Sequence, residues 1–392
     1  MPTALITLGR LPKALTLARL LRRAGYRVIV AEPFRWHIGR VSRAIDRCYT
    51  TPAPNSDAIA YRETLLQIIA RECVSLVVPV SEEIHHVLPL RQSLPSEIRI
   101  LGPLWDDYQT CADKLLFVRH AKALGLRTPT TYLLDTPEAA ALASHTQCIY
   151  KPRRGCSGLG VTQNAGEARE ENGSQGVIAQ AFVAGRVVSS LSLMRAGRIV
   201  NSVVYEGKTY AGSVAICFER ISPTPDVAAW ITTWCESFNF DGFIALDLII
   251  DSEGNPWGIE CNPRLTSGIH FFNSINAVCG EVPAATGDLP PEQNAAEVRR
   301  WQWAYSTLTE AYSELFHGRP GGFLRNMRLL LSSRDCVWSM RDPLPFLLMT
   351  PLSAPILWPA IVEGVSMGEA CQRDIAPLWD PSANRGVVDN DS

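Results

Sequence analysis

The sequence predicts a chain that is α/β at its start and α+β in its middle: a doubly wound parallel sheet, then a mixed core with an antiparallel hairpin, then a mainly helical C-terminal extension. Three observations predict this. Over residues 1–105 short apolar runs alternate with stretches of helical spacing, the pattern of βαβ units. Over 243–262 two apolar runs, each carrying one acid, flank the polar turn Asp251-Ser252-Glu253-Gly254-Asn255-Pro256, which reads as a β-hairpin. After Gly280, a Pro- and Gly-bearing stretch at 281–291 marks a boundary, and the spacing then predicts helices over 292–317 and 322–332. At 392 residues with 46% hydrophobic and 19% charged side chains, the chain is long enough to bury a large core divided among two or three domains.

Composition removes several function classes. A net charge of −2 offers no electrostatic footprint for nucleic acid. Eleven cysteines occur with no CxxC pair, which fits free thiols in a reducing, cytoplasmic setting better than a disulfide framework or a zinc site. The apolar run before Gly9 is too short for a signal peptide or a membrane span and is expected to be the first strand. The final dozen residues read as a loose tail.

In order, strands are expected at 4–8, 27–30, 75–80 and 98–101, with helices at 13–24 and 57–71. Gly9 stands alone in the first turn, so the glycine fingerprint of dinucleotide-binding sheets is absent. Residues 80–86, Val-Ser-Glu-Glu-Ile-His-His, follow a strand end, where open α/β sheets bind ligands. They read as a helix start with Ser81 as N-cap, as a substrate-binding acid or as a metal cluster, the last without the HExxH spacing of a zinc site. A helix is expected over 106–125, carrying Asp113 and Lys114. A strand over 149–152 brings Lys151 to the loop 153–160, Arg-Arg-Gly-Cys-Ser-Gly-Leu-Gly, whose glycines let backbone N–H groups close over phosphates. Ser157, Gly158 and Gly160 are its candidate contacts. The strand pattern 177–183 is followed by strands at 189–194, 195–204 and 215–221 and a helix at 226–238.

The hairpin carries the main chemistry. Side chains alternate along a strand, so Glu260 and Asn262 share a face with Arg264 just beyond. If Asp247 faces the same way, two carboxylates and a carboxamide form an all-oxygen site of the kind Mg²⁺ accepts, with a guanidinium beside it. The alternative is that both acids are ordinary polar members of a half-exposed strand.

At Glu260-Cys261-Asn262-Pro263-Arg264, with an acid on the preceding strand, the chain resembles the carboxylate-amine ligases of the ATP-grasp superfamily, of the carbamoyl-phosphate-synthase-large-chain-like kind. The upstream parts occur in family order over roughly residues 1–280. The resemblance implies three domains: a pre-ATP-grasp sheet (1–105), a two-lobed ATP-grasp core (106–280) and the extension (281–392). It also implies an ADP-forming ligase in which a carboxylate is activated as an acylphosphate and joined to an amine. ATP and Mg²⁺, with Mn²⁺ as a substitute, would be the nucleotide and metal. Lys114 and Lys151 would hold phosphates, Gln180, Ala181 and Val183 would form the adenine edge, Asp247, Glu260 and Asn262 would hold the metal, and Arg264 would stabilise the transferring phosphoryl group. Partners would be small carboxylates and amines, not nucleic acid, and a homodimer is compatible. One departure stands out: where the family has a ribose-gripping glutamate this chain has Val187 and Val188. That departure supports a second reading, a nucleotide-binding or scaffold protein impaired in catalysis. Residues 343–362 are apolar but cut by five prolines. Packing on the core, a weak interfacial membrane or acyl-chain contact, and a span all remain open.

Overall fold

The computed structural model describes residues 1–276 and 298–376, apart from 156–157, 159, 173–175 and 366. Ser157, the boundary at 281–291, the first residues of the helix expected from 292 and the C-terminal tail lie outside the described residues.

The N-terminal unit is a five-stranded parallel sheet, β1 (Thr3–Ile6), β2 (Arg27–Glu32), β3 (Arg47–Thr50), β4 (Val74–Val78) and β5 (Arg99–Ile100), in the order β3-β2-β1-β4-β5. Its central strands are apolar on both faces because both are covered. Ala4, Ile6, Val28 and Val30 enter one core cluster while Leu5, Ile29 and Ala31 enter another. The Pro12–Arg23 helix starts with proline in its first turn and ends on Arg22 and Arg23, and the Ala58–Arg71 helix is capped by Asp57, whose side chain accepts from the Ala60 amide at 2.9 Å. The Val80–His86 segment differs from its expected form. Ser81 does not cap a helix; the fully buried Glu83 carboxylate instead accepts the amides of Val80 and Ser81 and the hydroxyl of Thr7, and the helix is one turn, Ile84–Val87.

A small antiparallel sheet follows: β6 (Thr131–Leu133), β7 (Cys148–Pro152) and β8 (Val177–Ala181), in the order β6-β8-β7. The larger lobe is a seven-stranded sheet of β9 (Arg186–Arg195), β10 (Arg198–Ala211), β11 (Val214–Ile221), β12 (Gly242–Ile250), β13 (Pro256–Asn262), β14 (Arg300–Gln302) and β15 (Arg334–Asp335), in the order β13-β12-β9-β10-β11-β14-β15. One face of it packs on the Lys114–Ala123 and Pro225–Cys235 helices around Phe117, Trp230 and Trp234. The other face contributes Leu191, Val203 and Ala245 to the cluster shared with the N-terminal sheet. Gly258 on β13 is required by this packing, since a Cβ there would stand 2.2 Å from the Trp230 ring.

The helix expected over 106–125 is two helices, Trp105–Ala112 and Lys114–Ala123, broken at Asp113, which adopts an extended conformation and caps the second. Residues 300–302, expected to be helical, form a strand because they pair with β11; the helix is Ala304–Phe316. The proline-cut segment folds as short helices, Leu344–Leu347, Met349–Leu352 and Ala354–Glu363. Leu352, Ile356 and Ala360 are buried, whereas Leu347 and Trp358 are exposed. No helix among the described residues is long and apolar enough to cross a membrane.

One buried histidine, His270, and two half-buried ones, His85 and His86, make the fold acid-sensitive. Burial pushes His270 down to about 3, and burial, with Arg154 beside His85 and His85 beside His86, pushes those two down to about 4. The unfolded chain takes up these protons near pH 6.5, where the native state refuses them, so stability falls as pH drops below that value. For His270 alone the loss is expected to be about 1.4 kcal/mol per pH unit between about 6 and 4. Urea titrations of His270→Gln, which can keep the contact to Thr16, should give a flatter pH profile than the parent chain.

Candidate active site

The register of four strands builds one row of side chains. Tyr205 on β10 lies opposite Ser189 on β9, Ser189 opposite Asp247 on β12, and Asp247 opposite Glu260 on β13. Directly opposed residues share a face, so the two acids stand side by side as the hairpin pattern requires. Asn262, opposite Ala245, is the next residue on that face. The Ser189 hydroxyl donates to Asp247 Oδ1, and the Tyr205 and Thr266 hydroxyls are 3.3 Å apart at the far end of the row.

Two lysines from different elements meet this row. Lys114 is placed by Asp113, whose buried carboxylate accepts the amides of Leu115 and Leu116 and pairs with Arg153 at 2.8 Å, while the Lys114 amide donates to the Arg153 carbonyl. Its Nζ then lies 3.3 Å from Glu260 Oε2 and donates to the Gly155 carbonyl at 3.1 Å. Lys151, buried at the end of β7, feels Glu260, Lys114 and Asp247. Burial is the largest influence on it and holds its ammonium down at about 8.

The two carboxylates titrate as a pair. Burial and the charge of Glu260 push Asp247 up, whereas Lys114 and Lys151 outweigh burial and hold Glu260 well below the usual carboxylate range. Glu260 is therefore the member of the pair that holds its charge, and Asp247 the one that takes up a proton first as pH falls.

Beyond them Arg264, itself buried, donates to Asn262 Oδ1 at 2.9 Å and pairs with Glu82 Oε1 at 2.6 Å, so residues 80–86 do reach the site as their place after a strand end suggested. The cleft here is lined by Glu82, Ile84, Tyr108, Lys114, Glu260 and Arg264, and Ala376 from the C-terminal segment closes one side.

The donor set fits a hard divalent ion. Two carboxylates and one carboxamide on one sheet face offer only oxygen, and Lys114 and Lys151 supply positive charge where Glu260 is exposed to the cleft. No group of three or more His, Cys, Asp or Glu side chains gathers at a point among the described residues, so the third protein oxygen would have to come from Asn262.

Residues 111–268 match the family model described as the ATP-grasp domain. This segment is an ATP-grasp domain. The fold agrees with solved structures of low sequence identity. The biotin carboxylase domain of the 2-oxoglutarate carboxylase from Hydrogenobacter thermophilus matches at TM-score 0.54 and 15% identity, over 68% of this chain and 64% of that one. This chain thus spans just under two thirds of that domain. The L-amino acid ligase from Bacillus licheniformis matches at 0.54 and 15%, over 68% of each chain, and the biotin carboxylase from Campylobacter jejuni at 0.59 and 14%, over 73% of each. No curated protein sequence matches the chain.

Within the ATP-grasp domain, Lys114, Lys151, Asp247, Glu260, Asn262 and Arg264 converge. Gln180 shares a sheet face with Lys151, since Lys151 pairs with Ile178 and Ile149 with Gln180, and its amide nitrogen donates to Thr131 Oγ1 at 2.9 Å. Ala181 ends β8, and Val183 lies in the loop after it, its amide without a hydrogen-bond partner among the described residues. Gly155, Gly158 and Gly160 all have positive φ, and a Cβ at Gly158 would stand 2.9 Å from that of Ser213. Val187 is exposed two residues before Ser189 and so lies on the face of the acids, with no carboxylate in the expected ribose position. Ser189 and Tyr205 escape sequence reasoning because only pairing between distant strands puts them in the row. Asp113 could have been found, being an N-cap residue directly before an apolar helical run.

Asp247→Asn tests the pair. Removing one of two adjacent half-buried acids should leave the metal-free protein as stable as the parent or up to about 1 kcal/mol more stable, while abolishing stabilisation by added Mg²⁺. Thermal melts with and without Mg²⁺ measure both effects.

Proposed function

We propose that the protein is a Mg-ATP-dependent, ADP-forming ligase that activates a small carboxylate as an acylphosphate and passes the acyl group to an amine. The observation that carries this reading is the convergence of Lys114, Lys151, Asp247, Glu260, Asn262 and Arg264 on one cleft. A substrate carboxylate oxygen forms a bond to the γ-phosphorus as the bond from that phosphorus to the bridging oxygen breaks, and ADP leaves with the electron pair. The amine then attacks the acyl carbon, phosphate departs, and the amine loses its proton. Mg²⁺ held by Asp247, Glu260 and Asn262 would neutralise phosphate oxygens during transfer. Lys114 and Lys151 bind the phosphates, the Val183 amide and Ala181 carbonyl hold the adenine edge, and Arg264 stabilises the transferring phosphoryl group and the acylphosphate. Glycines 155, 158 and 160 allow the loop backbone to lie against phosphate and exclude water. The amine acceptor is supported by the fold shared with an L-amino acid ligase, though carboxylases share the fold too.

A second reading, a nucleotide-binding or scaffold protein impaired in catalysis, is favoured by one observation: Val187 and Val188 stand where a ribose-gripping acid would be. Release of ADP that depends on added carboxylate and amine separates the two readings, and its absence across a broad panel of both would favour the binder.

Three substitutions probe the parts. Lys151→Ala should raise the Kd for Mg-ATP by about tenfold or more, about 1.4 kcal/mol, in calorimetry. Unchanged binding would place the nucleotide elsewhere. Gly158→Pro cannot adopt the observed φ of +68° and should leave ATP binding nearly intact while abolishing ligation or uncoupling it into hydrolysis. Glu260→Gln should lower turnover by several orders of magnitude, and near-parental turnover would remove the hairpin from the mechanism.

A further inference from the structure

The helical hairpin formed by Ala304–Phe316 and Pro320–Ser332 is amphipathic in the wrong sense for a soluble helix pair. Its most deeply buried residues are small or polar: Thr307 and Ala311 on the first helix and Asn326 on the second, which accepts from the Thr209 hydroxyl at 2.9 Å. Its large apolar residues point out. Tyr305, Leu308, Tyr312 and Phe316 follow each other at helical spacing along an open groove, and Phe316 is 86% exposed. On the second helix Leu324, Arg325, Arg328 and Leu331 form one exposed stripe, with Leu331 83% exposed. That helix contains two arginines and no acid, and Arg300 joins Leu324, Arg325 and Arg328 in lining a second groove along it.

We propose that this hairpin is a docking surface for an anionic lipid bilayer, on which the protein lies without crossing it. Three features select this occupant. The apolar side chains are flanked by arginines whose stems can lie along them while the guanidinium groups reach phosphate. Two tyrosines on the first helix carry the apolar body and polar tip that suit the headgroup level. A second copy of the chain docked through the second helix fits poorly, because a two-fold contact would set the Arg325 and Arg328 stripe against its own image, and the hairpin's acids, Glu310 and Glu314, lie on the first helix, Glu314 paired with Arg319. The inference is independent of the ligase reading, since none of these residues borders the nucleotide cleft.

The test uses the full chain and sedimentation with vesicles of phosphatidylcholine alone or of equal parts phosphatidylcholine and phosphatidylglycerol. The protein should pellet with the anionic vesicles, stay in solution with the zwitterionic ones, and be released by high salt. Replacing both Arg325 and Arg328 with Gln should lower the apparent partition coefficient by about tenfold or more. Leu331→Glu and Phe316→Glu should each remove binding while leaving the thermal midpoint unchanged, because both side chains are exposed. Asp247→Asn should bind vesicles like the parent. Three results would overturn the proposal: no pelleting with anionic vesicles at low salt, equal pelleting of the parent and Leu331→Glu, or a concentration-dependent dimer in analytical ultracentrifugation that Phe316→Glu dissolves.

Discussion

The constraint on which the site depends is the direct opposition of two half-buried acids, Asp247 and Glu260, on neighbouring strands of the sheet face that borders the cleft. Like charges placed opposite each other in low dielectric repel, and an apolar sheet would not tolerate them unaided. Lys114 from a helix terminus and Lys151 from the small sheet oppose that repulsion, and the Ser189 hydroxyl donates to Asp247. The same arrangement couples three structural units. The large sheet supplies the acids, the small sheet supplies one lysine, and the second helix after the N-terminal unit supplies the other. The pairing of the two acids with the two lysines therefore requires that all three be docked together.

The position of Lys114 shows how local chemistry serves that docking. A continuous helix over 106–125 would carry Lys114 in mid-helix. The break at Asp113 instead creates a helix start, and the cap that satisfies its amides also grips Arg153 at the mouth of the glycine loop. One buried carboxylate thus fixes both the helix bearing the first lysine and the loop that follows the second. Arg264 is fixed in the same economical way, by Asn262 at the end of β13 and by Glu82 from the segment after β4.

Much of this was legible in the sequence where the signal is local. The hairpin announced itself by its turn, in which Asp251 accepts the amides of Glu253 and Asn255 and Gly254 takes a positive φ. The parallel strands announced themselves by apolar runs, and the order of motifs carried the ATP-grasp resemblance. What was not legible depends on pairing between distant segments. Strand β3, Arg-Cys-Tyr-Thr, is a half-exposed edge with no apolar alternation, so only its partner β2 defines it. Residues 300–302 lie just before a strong helical pattern and become a strand because β11 offers an open edge. Tyr205 and Ser189 join the site through register alone, and register is set by the whole sheet.

The C-terminal segment extends the same logic to the far wall of the cleft. Arg10, almost wholly buried, is held by Glu32 at 2.8 Å and by both oxygens of Asp374, and Asn55 donates to the carbonyl of Arg373. These contacts bring Ile375 into the core and Ala376 to the cleft opposite Arg264. Glu32 also accepts the amides of Gly9 and Arg10, so the carboxylate that ends β2 is committed to holding this wall. In a dinucleotide-binding sheet an acid at that strand end would face a ribose. Here the glycine fingerprint is absent and the acid is committed to Arg10 and the amides of Gly9 and Arg10, so the N-terminal sheet contributes a wall to the cleft through the C-terminal segment it holds.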